Sequence, residues 1–187
     1  MLLIHISDKE IWNEQLEEFF IIKGCDLTLE HSLVAISKWE SKYHKSFIDT
    51  ENKTSEEMLD YIKMMVVGKQ PEDDKVFMLL SREQISEIAK YINDPMTATT
   101  ISKDDEDKVN DKKKSGKFTT SEEIYSWMCL QNIPFECQYW HLNRLIMLIK
   151  LCAIANAPKD KKKKRMTSSD LALRRAKMEA ARKRFGG

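Results

Sequence analysis

The sequence predicts an α+β protein that is mostly α-helical, with a small N-terminal antiparallel β element, a helical bundle and a basic C-terminal helical arm. Three observations support this fold class. Apolar residues alternate with other residues at the start of the chain, and helical spacing with capping motifs takes over from residue 31. The 187 residues include only 5 glycines and 4 prolines, which disfavours a turn-rich all-β fold.

Residues 1–30 form the predicted β element. Leu2–Ile6 shows the period-two alternation of a strand. Phe19–Lys23 and Leu27–Leu29 are two further short β candidates, and Gly24–Asp26 is the predicted turn between them. We therefore expect a small antiparallel sheet or hairpin here.

Residues 31–158 form the predicted helical body. Apolar spacing marks a first helix around Trp39, and capping boxes predict helix starts at Thr54 and Ser81. Gly68 is the expected end of the second helix. In the third, Ile85, Ile88, Ala89 and Ile92 follow the Ser81 cap, and the helix is expected to end at Asn93–Pro95.

Two more helices complete the predicted body. One begins near Thr120, and the longest covers 135–157. Apolar residues surround the 135–157 helix almost completely, so we expect it at the centre of the core or at an oligomer interface. Its residues Leu142, Ile146 and Ile149 are the predicted core positions.

Charge separates the ends of the chain. Residues 159–187 contain 12 basic and 3 acidic side chains, a net charge of +9, which leaves −8 on residues 1–158. Residues 102–117 contain a single apolar side chain, Val109, and are predicted to be a flexible loop. The predicted organisation is thus a β element (1–30), a helical body (31–158) and a basic arm (159–187).

Several protein classes are disfavoured. The longest apolar run, Leu145–Ala155, is too short to cross a bilayer, and Met1–Ile6 lacks the flanks of a signal peptide. The four cysteines form no CxxC pair and are expected to be free thiols in a reducing compartment. We predict no enzymatic activity, no catalytic residues, no cofactor and no metal site.

The nearest metal-ligand pair is Cys137 and His141, four residues apart, with Cys129 or Cys152 as a third ligand. No fourth ligand accompanies them, so burial in the core is the favoured explanation. A nucleophilic pair of Cys137 and His141 lacks an orienting third group. Core packing is also the favoured explanation for the helical Trp and Tyr residues at positions 39, 43, 61, 91, 125, 127, 139 and 140.

The basic arm contains the predicted partner-binding residues. Clustered Lys and Arg can neutralise phosphates or bind an acidic protein. The candidates are Lys161, Lys162, Lys163, Lys164, Arg165, Arg174, Arg175, Arg182 and Arg184.

Five sequence blocks resemble a known family. They are LEHSLVAISKWESKYHKSFI (29–48), TSEEMLDYIKMM (54–65), INDPMTATTI (92–101), SEEIYSWMCLQNIPFECQYWHLNRLIMLIKLC (121–152) and ALRRAKMEAARKRF (172–185). These blocks resemble small proteins from the tail modules of tailed bacteriophages, the tail assembly chaperones, and the resemblance covers most of residues 29–185.

The resemblance implies a non-enzymatic role in virion morphogenesis in the host cell cytoplasm. Such chaperones bind the long, mostly helical tape measure protein until the tail tube polymerises around it. The tape measure protein is the expected partner, the tail tube protein and a second copy of the chain are further candidates, and no membrane is expected. The 10 methionines suit adaptable apolar recognition of a helix.

Two alternative functions remain open from the sequence. The chain could be a structural protein of the tail or the head–tail connection, which would place it in the virion. It could also be a nucleic-acid-binding regulator that uses the basic arm.

Overall fold

The structure is a computed structural model that describes residues 1–14, 17–101, 119–156, 172 and 174–178. Met1–Ala155 form one compact unit and Asn156–Gly187 a second. The described residues confirm an α+β, mostly helical fold with antiparallel strands at the N-terminus. The predicted loop at 102–117 and most of the predicted arm lie outside the described residues.

The first unit begins with four short strands, β1 (Leu2–Ile6), β2 (Lys9–Asn13), β3 (Glu18–Ile22) and β4 (Cys25–Leu29). β1 pairs antiparallel with β4, and β2 with β3. The register runs on unchanged between the two ladders, from Ile6 opposite Cys25 to Lys9 opposite Ile22. The strands therefore follow the course of one long two-stranded ribbon with a break in its middle. The predicted hairpin between Phe19–Lys23 and Leu27–Leu29 is wrong, and β2 was not predicted.

Gly24 lies at this break and has a different role from the predicted one. Its N–H donates to Oδ1 of Asp8 at 2.7 Å. A Cβ atom on Gly24 would lie 1.9 Å from the carbonyl oxygen of Ile6. Gly24 thus permits the close approach of two strands and does not form a hairpin turn.

The helices of the first unit are α1 (Leu33–Tyr43), α2 (Ser55–Met64), α3 (Arg82–Asn93), α4 (Ser121–Leu130) and α5 (Leu142–Asn156). Short 3-10 helices cover Asp74–Leu79 and Phe135–Tyr139. The capping boxes at Thr54 and Ser81 are confirmed. The predicted stop of α3 before Pro95 is also confirmed, since its last helical residue is Asn93.

The end of α2 is set by a strand and not by Gly68. The helix ends at Met64 because the next residues pair with the end of β4. The N–H of Glu30 donates to the Met65 carbonyl at 2.9 Å, and the N–H of Val67 donates to the Thr28 carbonyl at 2.8 Å.

The predicted helix at 135–157 is interrupted, which corrects the prediction of one continuous helix. The 3-10 helix ends at Tyr139, and α5 begins at Leu142. Between them the chain pairs with the residues just before α1. His141 bridges to Ser32, and the N–H of Leu142 donates to the carbonyl of His31 at 2.7 Å.

The core of the first unit lies between the inner face of β1–β4 and the helices. Ile4, Ile6, Leu27 and Leu29 are buried on the strands. In α5, Leu142, Leu145 and Ile149 are buried, whereas Ile146, predicted to be buried with them, is half-buried and packs against the core. In α3 only Ile88 is buried and Ile92 is half-buried, whereas Ile85 and Ala89 are exposed.

Glu40 connects three parts of the body. Its buried carboxylate accepts the N–H of Phe47 at 2.8 Å and the N–H of Ser121 at 2.7 Å. The Ser121 bond caps the start of α4, where the side chain of Thr120 makes no capping hydrogen bond. One carboxylate of α1 therefore holds both Phe47, which follows α1, and the first turn of α4.

Candidate protein-binding surface

The predicted partner-binding residues are only partly described. Arg174 and Arg175 are exposed on the helical stretch 174–178 in the second unit. Lys161, Lys162, Lys163, Lys164, Arg165, Arg182 and Arg184 lie outside the described residues. The basic arm therefore stays a sequence-based prediction.

The Cys137 and His141 pair is part of the packed interior. Both residues are buried, and the helix break at Trp140 separates them. Nε2 of His141 donates to the carbonyl of Tyr91 at 3.0 Å, and Nδ1 accepts the N–H of Asn143 at 3.3 Å. Both ring nitrogens are thus engaged in hydrogen bonds within the protein. Within the described ranges, the structure brings together no group of three metal-ligating side chains.

Cys137 also lacks the environment of a reactive cysteine. Burial, and to a smaller extent the charge of Glu136, raises the pKa of its thiol. The thiolate is the nucleophilic form, so this shift disfavours covalent chemistry.

A second histidine packs against His141 in the same interior. The rings of His31 and His141 lie 5.0 Å apart in an edge-to-face arrangement, and Nδ1 of His31 shares a hydrogen bond of 2.5 Å with the hydroxyl of Tyr61. Burial, and then the neighbouring His141, lowers the pKa of His31 to about 3. Burial likewise raises the pKa of Tyr61. These rings are polar parts of the core, contributed by α2 and by the residues just before α1 and α5.

Among the described residues of the body, four exposed large apolar side chains lie close together in the sequence, from the end of α4 to just before α5. We name this segment the 130–140 surface and define it by Leu130, Phe135, Tyr139 and Trp140. These four side chains are between 36% and 72% exposed. Large apolar side chains grouped in one short exposed segment are typical of protein-binding surfaces.

Buried neighbours hold this segment in place. Ile133 and Cys137 are in the core, between the exposed members of the surface. The hydroxyl of Tyr125 donates to Oε1 of Gln138 at 2.9 Å. The guanidinium of Arg144 lies 4.4 Å from the centre of the Trp140 ring. The exposed rings are therefore presented on a fixed backbone, which lowers the entropy cost of binding.

The sequence did not identify this surface. Positions 139 and 140 were among the aromatic residues expected in the core. That expectation holds for Trp39 and Tyr61, which are fully buried, and it is wrong for Tyr139 and Trp140, which are exposed. In a short apolar segment, the spacing of the residues does not indicate which side chains face solvent.

Helices that could span a membrane are not found among the described residues. Comparison with protein-family models, curated proteins and solved structures finds no match to this chain.

Proposed function

We propose that this chain is a non-enzymatic tail assembly chaperone of a tailed bacteriophage, and that it binds the tape measure protein in the host cell cytoplasm before the tail tube forms around it. The observation that carries the proposal in the structure is the 130–140 surface. It offers exposed apolar and aromatic side chains on a well-packed body, as the holder of an amphipathic helix requires. The five sequence blocks that resemble tail assembly chaperones support the identity of the partner.

The hydrogen bonding of the buried polar groups supports the proposal. Among the described residues, no buried side-chain nitrogen or oxygen lacks a hydrogen-bond partner. His31, His141, Glu40 and Tyr61 are all used within the core. These four buried side chains therefore have structural tasks, and the exposed apolar side chains of the 130–140 surface are available for a partner.

The experiment first searches the genes around this one for a tape measure gene, and then co-expresses its product with the full-length chain. We expect the full-length chain to keep the tape measure protein soluble and to co-purify with it. Leu130→Ser and Tyr139→Ser should each lower the retained amount about tenfold or more, since exposed anchors dominate binding energy. Ile85→Ser, at an exposed position in the first half of α3, is the matched control and should bind like the wild type.

The alternatives give different results in the same system. A structural protein of the tail or head–tail connection would remain in purified particles, where a chaperone is depleted. A nucleic-acid-binding regulator would bind DNA or RNA with strong salt dependence, a role favoured by the exposed Arg174, Arg175 and Lys177. If the full-length chain retains no tape measure protein and shifts DNA at moderate salt, the chaperone proposal is wrong.

A further inference from the structure

The β2–β3 part of the ribbon is apolar on a face that points away from the body. Trp12, Phe19 and Ile21 are 47–65% exposed, and Trp12 stands directly opposite Phe19 with ring centres 4.7 Å apart. Glu10 pairs with Ile21 on the same face. We name Glu10, Trp12, Phe19 and Ile21 the ribbon outer face. An antiparallel ribbon packed on one side normally presents polar side chains on the other.

Packing of the fold does not require these side chains. The opposite face of β2–β3 contacts the core through the buried Ile22 and the half-buried Ile11. Phe20 on the same face is half-buried. Nζ of Lys75, on the 3-10 helix after α2, lies 5.8 Å from the centre of the Phe20 ring. The ribbon is thus already anchored by its inner face.

Acidic residues frame the apolar part of the outer face. Residues 10–21 include Glu10, Glu14, Glu17 and Glu18 and no basic side chain, a net charge of −4. Glu14 and Glu17 are exposed where the strands end, beyond the Trp12 and Phe19 pair. Glu10 and Glu14 are four residues apart, which is about 13 Å along an extended strand. The surface therefore has an aromatic centre with negative charge at both ends.

We propose that the ribbon outer face is a docking site for a basic amphipathic helix of a partner protein. Such a helix would place apolar side chains on Trp12, Phe19 and Ile21. Its lysines or arginines, spaced by about two turns or roughly 11–13 Å, would reach the glutamates at the two ends. A basic group can also lie over the exposed Trp12 ring.

The negative charge around the ribbon outer face favours a basic helix over nucleic acid, an anionic lipid surface or a second copy of the chain. Nucleic acid and anionic lipid surfaces are repelled by a −4 segment. A second copy that met it through the same ribbon face would bring an identical negative surface against the first. The inference takes one thing from the proposed function, namely that the partner is helical. The ribbon outer face is a binding surface separate from the 130–140 surface.

The test measures binding of a helical probe to the full-length chain. The probe is a fluorescein-labelled leucine–lysine amphipathic peptide of about 18 residues, and a leucine–glutamate peptide of the same pattern is its control. We expect the lysine peptide to bind with an affinity that falls as salt is added, and the glutamate peptide not to bind. Phe19→Ser should weaken binding about tenfold or more.

A variant that changes only exposed charges tests the docking site without altering the packing of the ribbon. Glu14→Lys combined with Glu17→Lys changes exposed side chains and should weaken binding by a similar factor, with a smaller salt dependence. Ile85→Ser and Glu87→Lys on α3 are the matched controls and should stay within about twofold of the wild type. Circular dichroism and thermal unfolding confirm that each variant is folded.

Three results would overturn the docking site. They are failure of the wild type to bind the lysine peptide, wild-type binding by the folded ribbon variants, and a dimer in sedimentation that Phe19→Ser dissociates. The last result would make a second copy the occupant. If the lysine peptide binds as expected and the tape measure protein is not retained, the docking site stands and the proposed function fails.

Discussion

Replacing Glu40 with alanine should destabilise the body strongly, because this one side chain accepts two buried hydrogen bonds. Its two carboxylate oxygens accept the N–H groups of Phe47 and Ser121 at 2.8 and 2.7 Å, in a buried position. Glu40→Ala leaves both N–H groups without this acceptor. Each buried donor left unsatisfied costs about 1–3 kcal/mol, so we expect a loss of roughly 4 kcal/mol in the free energy of unfolding.

The size of the effect can be read by calorimetry. For a chain of this length, about 1 kcal/mol corresponds to a change of about 2–4 °C in Tm, so Glu40→Ala should lower Tm by roughly 8–16 °C. Glu40→Gln keeps one carbonyl oxygen as an acceptor and should lose about half as much. Glu87→Ala, at an exposed position of α3, is the control and should change stability by less than about 0.5 kcal/mol.

A Tm for Glu40→Ala within about 2 °C of the wild type would refute the reasoning. It would show that Glu40 does not join α1 to α4. An intermediate Tm for Glu40→Gln would support the two-acceptor account, because a purely steric role would leave this isosteric variant unchanged.

Three further predictions concern the interior and the ribbon. The pKa of His31 is about 3 in the folded chain and ordinarily 6.5, so the unfolded chain binds more protons between these values and stability falls as the pH drops below 6.5. The free energy of unfolding should fall by roughly 2 kcal/mol between pH 7 and pH 5. Denaturant unfolding at the two pH values measures this loss, and equal stability would contradict the prediction. Gly24→Ala should cost roughly 1–3 kcal/mol because its Cβ would lie 1.9 Å from the Ile6 carbonyl oxygen, and an unchanged Tm would show that the strands can separate freely there. Leu145→Ala should cost roughly 2–5 kcal/mol, as expected for a fully buried leucine, and a loss below about 1 kcal/mol would place the core elsewhere.

Local signals in the sequence predicted much of the fold. The capping boxes at Thr54 and Ser81 identified helix starts because capping depends on residues within one turn. The strand at Leu2–Ile6 was visible because its alternate side chains are buried on one face. Pro95 stopped α3 through its effect on the preceding residue.

The errors arise where distant residues decide the structure. The break before α5 depends on the pairing of Leu142 with His31, more than one hundred residues away. The end of α2 depends on the pairing of Val67 with Thr28. Glycine is common in turns, which is why a turn was predicted at Gly24. The structure requires glycine there for another reason, because two strands approach closely. Spacing along the chain carries none of this information.

The candidate surfaces were the hardest feature to predict. Tyr61 and Tyr139 both lie in helical segments, yet one is fully buried and the other exposed. β2 was missed because Ile11 and Trp12 are adjacent, so the strand shows no alternation of apolar and polar residues. Its two apolar residues lie on opposite faces, one toward the body and one toward solvent. A pattern of this kind can only be interpreted once the ribbon is known.

Hydrogen–deuterium exchange of the full-length chain, alone and bound to the tape measure protein, tests the central claim most directly. We expect slower exchange in the complex over residues 130–140 and over the ribbon at 9–22, with no change in α3. Protection confined to other parts of the chain, or no protection at all, would contradict it.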